Sequence, residues 1–268
     1  MEGLLNLRPQ VRVTVRVIVR ATVLLMFLVS LVSGCVTTTT GTMQKEVDLA
    51  EVVEKLNKLG IGYLQQGDYT RSKENLRKAL ELDPGSPLTH TTLGVLFERE
   101  GEYKLSEHHF KQAIQHDPEF SPARNNYGAF LFARERYGDA IHQLKFASKD
   151  QFYPLRSQVF ENMGVCYQKM GEPAKAEEAF IKAIQLDYSR PRALLELATI
   201  RWDQQNFVEA RRLYERHVTV SQQSPRSLLL CIQLARKFGE QNQEASCALV
   251  LKNIFPASEE FSQYQKMN

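Results

Sequence analysis

The sequence carries none of the common signatures of catalysis. It has no HExxH, no GxSxG, no phosphate-binding GxxxxGK and no GxGxxG. Cysteine is scarce, four in 268 residues, and no CxxC or His–Cys spacing suggests a metal site. His108 and His109 are adjacent, so on a helix they point about 100° apart and form no i,i+4 pair. Glu177 and Glu178 read as part of a solvated helix face. An excess of charge is missing as well. The formal charge is +3, but residues 1–34 hold four arginines against Glu2 alone. Beyond them Lys and Arg number 30 and Asp and Glu number 30, so the rest of the chain is neutral. A nucleic-acid surface needs clustered Lys and Arg, and none is present. Long apolar runs are also absent. The one clear run, residues 21–33, has 13 residues, short of the roughly 20 that span a bilayer.

What is present is a repeat. The stretch from Leu59 to Pro84 reads as a helix, a turn at Gly67-Asp68, and a second helix stopped by Asp83-Pro84, since proline cannot continue a helix. Its Leu59-Gly60 pair returns as Leu93-Gly94, Tyr127-Gly128, Met163-Gly164 and Leu197-Ala198, at spacings of 34, 34, 36 and 34. Small residues (Gly60, Ser72, Ala79) fall where two antiparallel helices touch, and large ones fill the space between. A period near 34 residues is that of tetratricopeptide (TPR) hairpins, which stack because one alone cannot bury its apolar faces. The expected fold is all-α, a superhelical solenoid of about six hairpins at 53–86, 87–120, 121–154, 157–190, 191–224 and 225–258. The two extra residues before the fourth hairpin predict an elbow within 151–157. The sixth hairpin is degenerate, with Ile232 in the small-residue place, as terminal repeats often are. Residues 259–268 are expected to form a tail.

The N-terminal segment has another logic. Arginine alternates with valine over residues 8–20, and the apolar run then ends in Leu31-Val32-Ser33-Gly34-Cys35. A basic flank, a short apolar run and small residues describe a secretory signal, here 1–34. The Leu-Val-Ser-Gly-Cys ending resembles the bacterial lipobox. That resemblance implies cleavage before Cys35, lipidation of Cys35, and a polar tether over 35–52. Several acyl chains at one residue give a stable anchor where one is marginal. Val36 in place of an aspartate favours the outer membrane over inner-membrane retention.

Cys166, Cys231 and Cys247 remain. The first reading makes all three small buried hydrophobes. The second is a Cys231–Cys247 disulfide, since the two fall on the two helices of the last hairpin. In TPR arrays the first helix of each hairpin lines a concave groove. Periodicity puts Asn57, Ile61, Leu64, Thr91, Val95, Asn125, Ala129 and Phe132 on that face, with Asn126 beside them and Asn162 at its matching place. Asparagine amides there can hold a peptide backbone, because they both donate and accept. A local capping role for the Asn125-Asn126 pair is the alternative. The mixed face suits an extended peptide or a partner helix better than a small charged substrate.

A lipobox followed by six such hairpins, with GYLQQGD at 62–68, NNYGAFL at 125–131, RERYGDA at 134–140 and YPLRSQVFENMG at 153–164, resembles the PilF/PilW family of type IV pilus biogenesis lipoproteins. The resemblance covers about 35–264. It implies an outer-membrane pilotin that binds the pilus secretin subunit and promotes its localisation and multimerisation. It implies no catalytic turnover, no small-molecule substrate, no nucleic acid and no cofactor beyond the lipid. The competing expectation is a general TPR scaffold lipoprotein serving outer-membrane barrel assembly or cell-wall enzymes.

Overall fold

The computed structural model describes residues 48–267. The expected signal 1–34, Cys35 and the tether up to residue 47 lie outside the described residues. Within them the chain is all helix and turn, with no strand. Six antiparallel hairpins follow one another: α1 (Leu49–Gln65) with α2 (Tyr69–Leu82), α3 (Pro87–Arg99) with α4 (Tyr103–His116), α5 (Ser121–Ala133) with α6 (Tyr137–Lys149), α7 (Arg156–Lys169) with α8 (Pro173–Leu186), α9 (Pro191–Asp203) with α10 (Phe207–Val220), and α11 (Pro225–Phe238) with α12 (Gln241–Ile254). Each odd helix packs on the even helix that follows it. Odd helices also touch odd helices from α1 through α9, and this sets up one continuous face. No described helix is long and apolar enough to cross a membrane.

Both ends extend the expected repeats. The first helix starts at Leu49 rather than near 53, because the Asp48 carboxylate accepts the Ala50 N–H and caps it. The expected tail is a helix, α13 (Glu259–Lys266), capped by Ser258 on the Phe261 N–H. It begins 34 residues after α11 does, where the first helix of a seventh hairpin would start. Its Phe261 and Tyr264 pack on the core that includes the sixth hairpin, as a following repeat would.

The hairpins are held by one recurring contact. A Cβ on Gly60 would lie 2.6 Å from Leu76, on Gly94 2.7 Å from Phe110, on Gly128 2.7 Å from Leu144, and on Gly164 2.5 Å from Phe180. The glycine is therefore the hole and the large residue 16 positions later is the knob. All four knobs are fully buried, each worth about 1.5–3 kcal/mol in burial. In the first two hairpins a serine reinforces the contact: Ser72 Oγ donates to the Gly60 carbonyl (2.7 Å) and Ser106 Oγ to that of Gly94 (2.8 Å). The sixth hairpin looks degenerate in sequence, and the sizes at its two positions are reversed. Ile232, fully buried, takes the small-residue place, and Ala248, also buried, stands 16 residues on. The preceding residues of that pair, Cys231 and Cys247, are joined as a disulfide. This corrects the first reading of three buried thiols: of the three, Cys166 alone is free, and it is buried.

The turn inside each hairpin uses a left-handed residue. It is glycine at 67, 101, 171 and 239, and Glu135 and Gln205 at the other two. Between α6 and α7 the link runs over 150–155. Asp150 Oδ1 accepts the Phe152 N–H, and Arg156 Nε donates to the Ser148 carbonyl at 2.7 Å. Tyr153 turns inward and is buried, while Phe152 is almost wholly exposed.

Candidate functional site

The face formed by α1, α3, α5 and α7 is the candidate site, and most of its polar residues turn out to join repeats. Asn57 is buried, and its Oδ1 accepts the Thr89 hydroxyl at 2.9 Å. Glu161, at the same offset as Asn57 allowing for the elbow, is buried as well. It accepts the Ala193 N–H (3.0 Å) and pairs with the Arg190 guanidinium (2.7 Å). Both links span 32 residues, from one hairpin to the start of the next. Asn125 is buried, donating to the Tyr153 hydroxyl (3.4 Å) and accepting from Asn162 (3.2 Å). Glu196 closes the series, taking Gln168 on one oxygen and Arg226 on the other.

The expected groove residues thus separate into two groups. Asn57, Leu64, Thr91 and Asn125 are buried, so the expectation that they present themselves to a ligand is corrected. Thr91 Oγ1 donates to the Pro87 carbonyl of its own helix. Asn126 donates to the Pro122 carbonyl one turn back and stays half-buried, and Asn162 is half-buried on Asn125. Ile61, Val95 and Phe132 are half-buried and Ala129 is exposed. These four, at repeat spacing (61, 95, 129) and one turn apart (129, 132), make an apolar strip of matching positions along α1, α3 and α5. The Phe132 ring rests against Tyr137, with centroids 5.4 Å apart. In the first hairpin and the start of α3 a cleft of ≈ 380 Å³ lies between Leu49, Val53, Leu82 and Leu88.

Sequence reasoning missed Glu161 and Glu196, although Glu161 stands in the Asn57 and Asn125 row and that row was legible. It treated His108 and His109 only as neighbours in sequence and did not see that His90 of the facing helix pairs with His109. His90 Nε2–H donates to the Pro84 carbonyl, so its Nδ1 accepts from His109 Nδ1–H at 2.9 Å. His116 stacks on His90 and Phe97 on His109. Burial, then the neighbouring His90 and His108, push His109 down to about 4. No group of three or more His, Cys, Asp or Glu among the described residues is placed to hold a metal ion.

Profiles of the tetratricopeptide repeat family match residues 53–86, 91–145 and 157–187. The type IV pilus assembly protein PilF of Pseudomonas aeruginosa is 38% identical over 248 residues, 92% of this chain and 98% of that protein. The chain belongs to the PilF family. The solved structure of P. aeruginosa PilF superposes with a TM-score of 0.80 at 39% identity, covering 82% of this chain and 99% of that one. PilW, described as a widely conserved type IV pilus biogenesis factor, superposes with a TM-score of 0.68 at 24% identity over 80% and 99%; it shares the fold. This PilF-family chain is therefore a TPR protein of type IV pilus biogenesis, and a TPR solenoid acts through protein–protein contacts.

Proposed function

We propose that this chain is a pilotin. Anchored by lipid on Cys35 at the periplasmic face of the outer membrane, it binds the type IV pilus secretin subunit and promotes its localisation and multimerisation. The observation that carries the reading is kinship with PilF across nearly the whole of both chains. The apolar strip of Ile61, Val95, Ala129 and Phe132 supports it, because it offers a partner a dry surface on three successive hairpins. The Leu31–Cys35 pattern supplies the membrane address. A secretin subunit carried on the lipoprotein is sorted with it. This role works by binding rather than turnover and needs no cofactor beyond the lipid.

The test is co-purification with the tagged chain from detergent-solubilised envelopes, followed by mass spectrometry. Recovery of a secretin, with secretin multimers lost on deletion and the chain released from membranes by Cys35→Ser, is the expected result. Recovery of barrel-assembly or cell-wall proteins without secretin would move the role to a general scaffold. A Cys35→Ser protein still cut at the same bond and still membrane-bound would remove the lipid anchor from the reading.

A further inference from the structure

Within the apolar strip stands one carboxylate without a partner. Glu98 occupies on α3 the offset that Leu64 has on α1 and Phe132 on α5, one turn after Val95. Its side chain is half-buried and makes no hydrogen bond or ion pair among the described residues. The two cations that act on it, Arg134 and Arg99, leave it unpaired. Arg134 lays its guanidinium on the Tyr103 ring, 3.5 Å from the centroid, and Arg99 acts only at longer range. Burial pushes the Glu98 carboxyl above the ordinary carboxylate range, and these two arginines offset that only in part. The other acidic residues of the face differ: Glu161 and Glu196 are both spent on arginines.

An uncompensated carboxylate part-way out of water is costly, and the cost is recovered when a cation arrives in the same dry setting. We infer that Glu98 is a specificity determinant of the groove, and that the partner segment seated there carries one Lys or Arg flanked by apolar residues. The flanking residues lie on Ile61 and Val95 to one side and on Ala129 and Phe132 to the other, and the cation meets Glu98 between them. The inference rests on the groove being the partner site in the pilotin reading, and it names the chemistry of what binds.

The first test uses phage-displayed random peptides selected against the full chain and against Glu98→Gln and Glu98→Lys, with circular dichroism to confirm the fold. Peptides with a Lys or Arg between apolar residues should dominate the unsubstituted pool. They should vanish from the Gln pool and give way to acidic residues in the Lys pool. A peptide from the first pool should bind Glu98→Gln about tenfold more weakly, the usual scale for losing a charge-assisted hydrogen bond. Pools that do not change with Glu98, or that lack basic residues, overturn the inference. The second test repeats the envelope co-purification with Glu98→Gln. Secretin recovered equally with either chain, together with unchanged pools, removes the Glu98 role and leaves the pilotin reading in place. Pools that shift as expected while no secretin is recovered sustain the Glu98 role and remove the pilotin reading.

Discussion

Reducing the Cys231–Cys247 bond should loosen the last hairpin and leave the rest of the solenoid nearly untouched. The bond closes a loop of 16 residues, for which the chain-entropy relation gives about 3 kcal/mol at 25 °C. In a solenoid, stability is close to a sum of repeat terms and nearest-neighbour interfaces, so a loss at one end stays near that end. The last hairpin has little reserve to absorb it. Among the described residues it has one full hairpin beside it, and its other side meets only the eight residues of α13. Hydrogen exchange of the intact chain with and without reductant reads this directly. Amides of α11, α12 and α13 should lose about 3 kcal/mol of protection, while those of α1 to α8 keep theirs. Replacing both cysteines by alanine should cost somewhat more, because two buried sulfurs are removed as well. Equal protection in both redox states would refute the entropic reasoning. A loss spread evenly over the six hairpins would refute the nearest-neighbour picture.

Two glycines on first helices should respond in opposite directions. Gly164→Ala puts a Cβ 2.5 Å from the buried Phe180 ring and should cost about 2 kcal/mol. Gly62→Ala meets nothing within 4 Å and should gain about 0.5–1 kcal/mol; urea unfolding of the two variants checks both. Acid should weaken the second hairpin. His90 and His109 are held below their unfolded values, chiefly by burial. The unfolded chain therefore takes up protons first, and their contribution is complete above about pH 6.5 and lost as pH falls towards about 4. The hydrogen bond to the Pro84 carbonyl, and more weakly Asp83, oppose this for His90, while His116 and His108 add to it. The urea midpoint should drop across that window, and His109→Gln should flatten the drop; an unchanged slope would count against the His90–His109 contact.

The period was legible because it rests on sterics: each small residue must face a large one 16 positions later, and a fixed spacing of glycines and prolines records that need. The sixth hairpin escaped the pattern because its sizes are reversed, with buried Ile232 in the small place and buried Ala248 16 residues later, and matching to one template counts a reversal as a loss. His217 shows the same limit. It stands where the earlier hairpins have Ala79, Ala113, Ala147 and Ala183, and it fits by donating through Nδ1 to the Pro191 carbonyl at 2.9 Å, leaving Nε2 buried without a partner. The groove was legible as a face but not in its depth. Helical period tells which way Asn57 and Asn125 point. It does not tell that Thr89 and Asn162 of the following repeats lie over them.

That burial bears on how the face can act. Asn57–Thr89, Asn125–Asn162, Glu161–Arg190 and Glu196–Arg226 cross four of the junctions between successive hairpins. Each has at least one buried polar group, Asn57, Asn125, Glu161 or Glu196, which is left unsatisfied when its partner is lost, at about 1–3 kcal/mol or more where charge is involved. The polar floor therefore fixes how one repeat sits on the next, and the curvature exists before any partner arrives. A surface set in advance loses little ordering free energy on association. The residues left to meet a partner, Ile61, Val95, Ala129, Phe132 and Glu98, take no part in these junction bonds. Shape and recognition are thus carried by different side chains on the same helices. Substitutions in the second set can change what binds while the solenoid keeps its curve, and substitutions in the first set can change the curve without touching a contact residue.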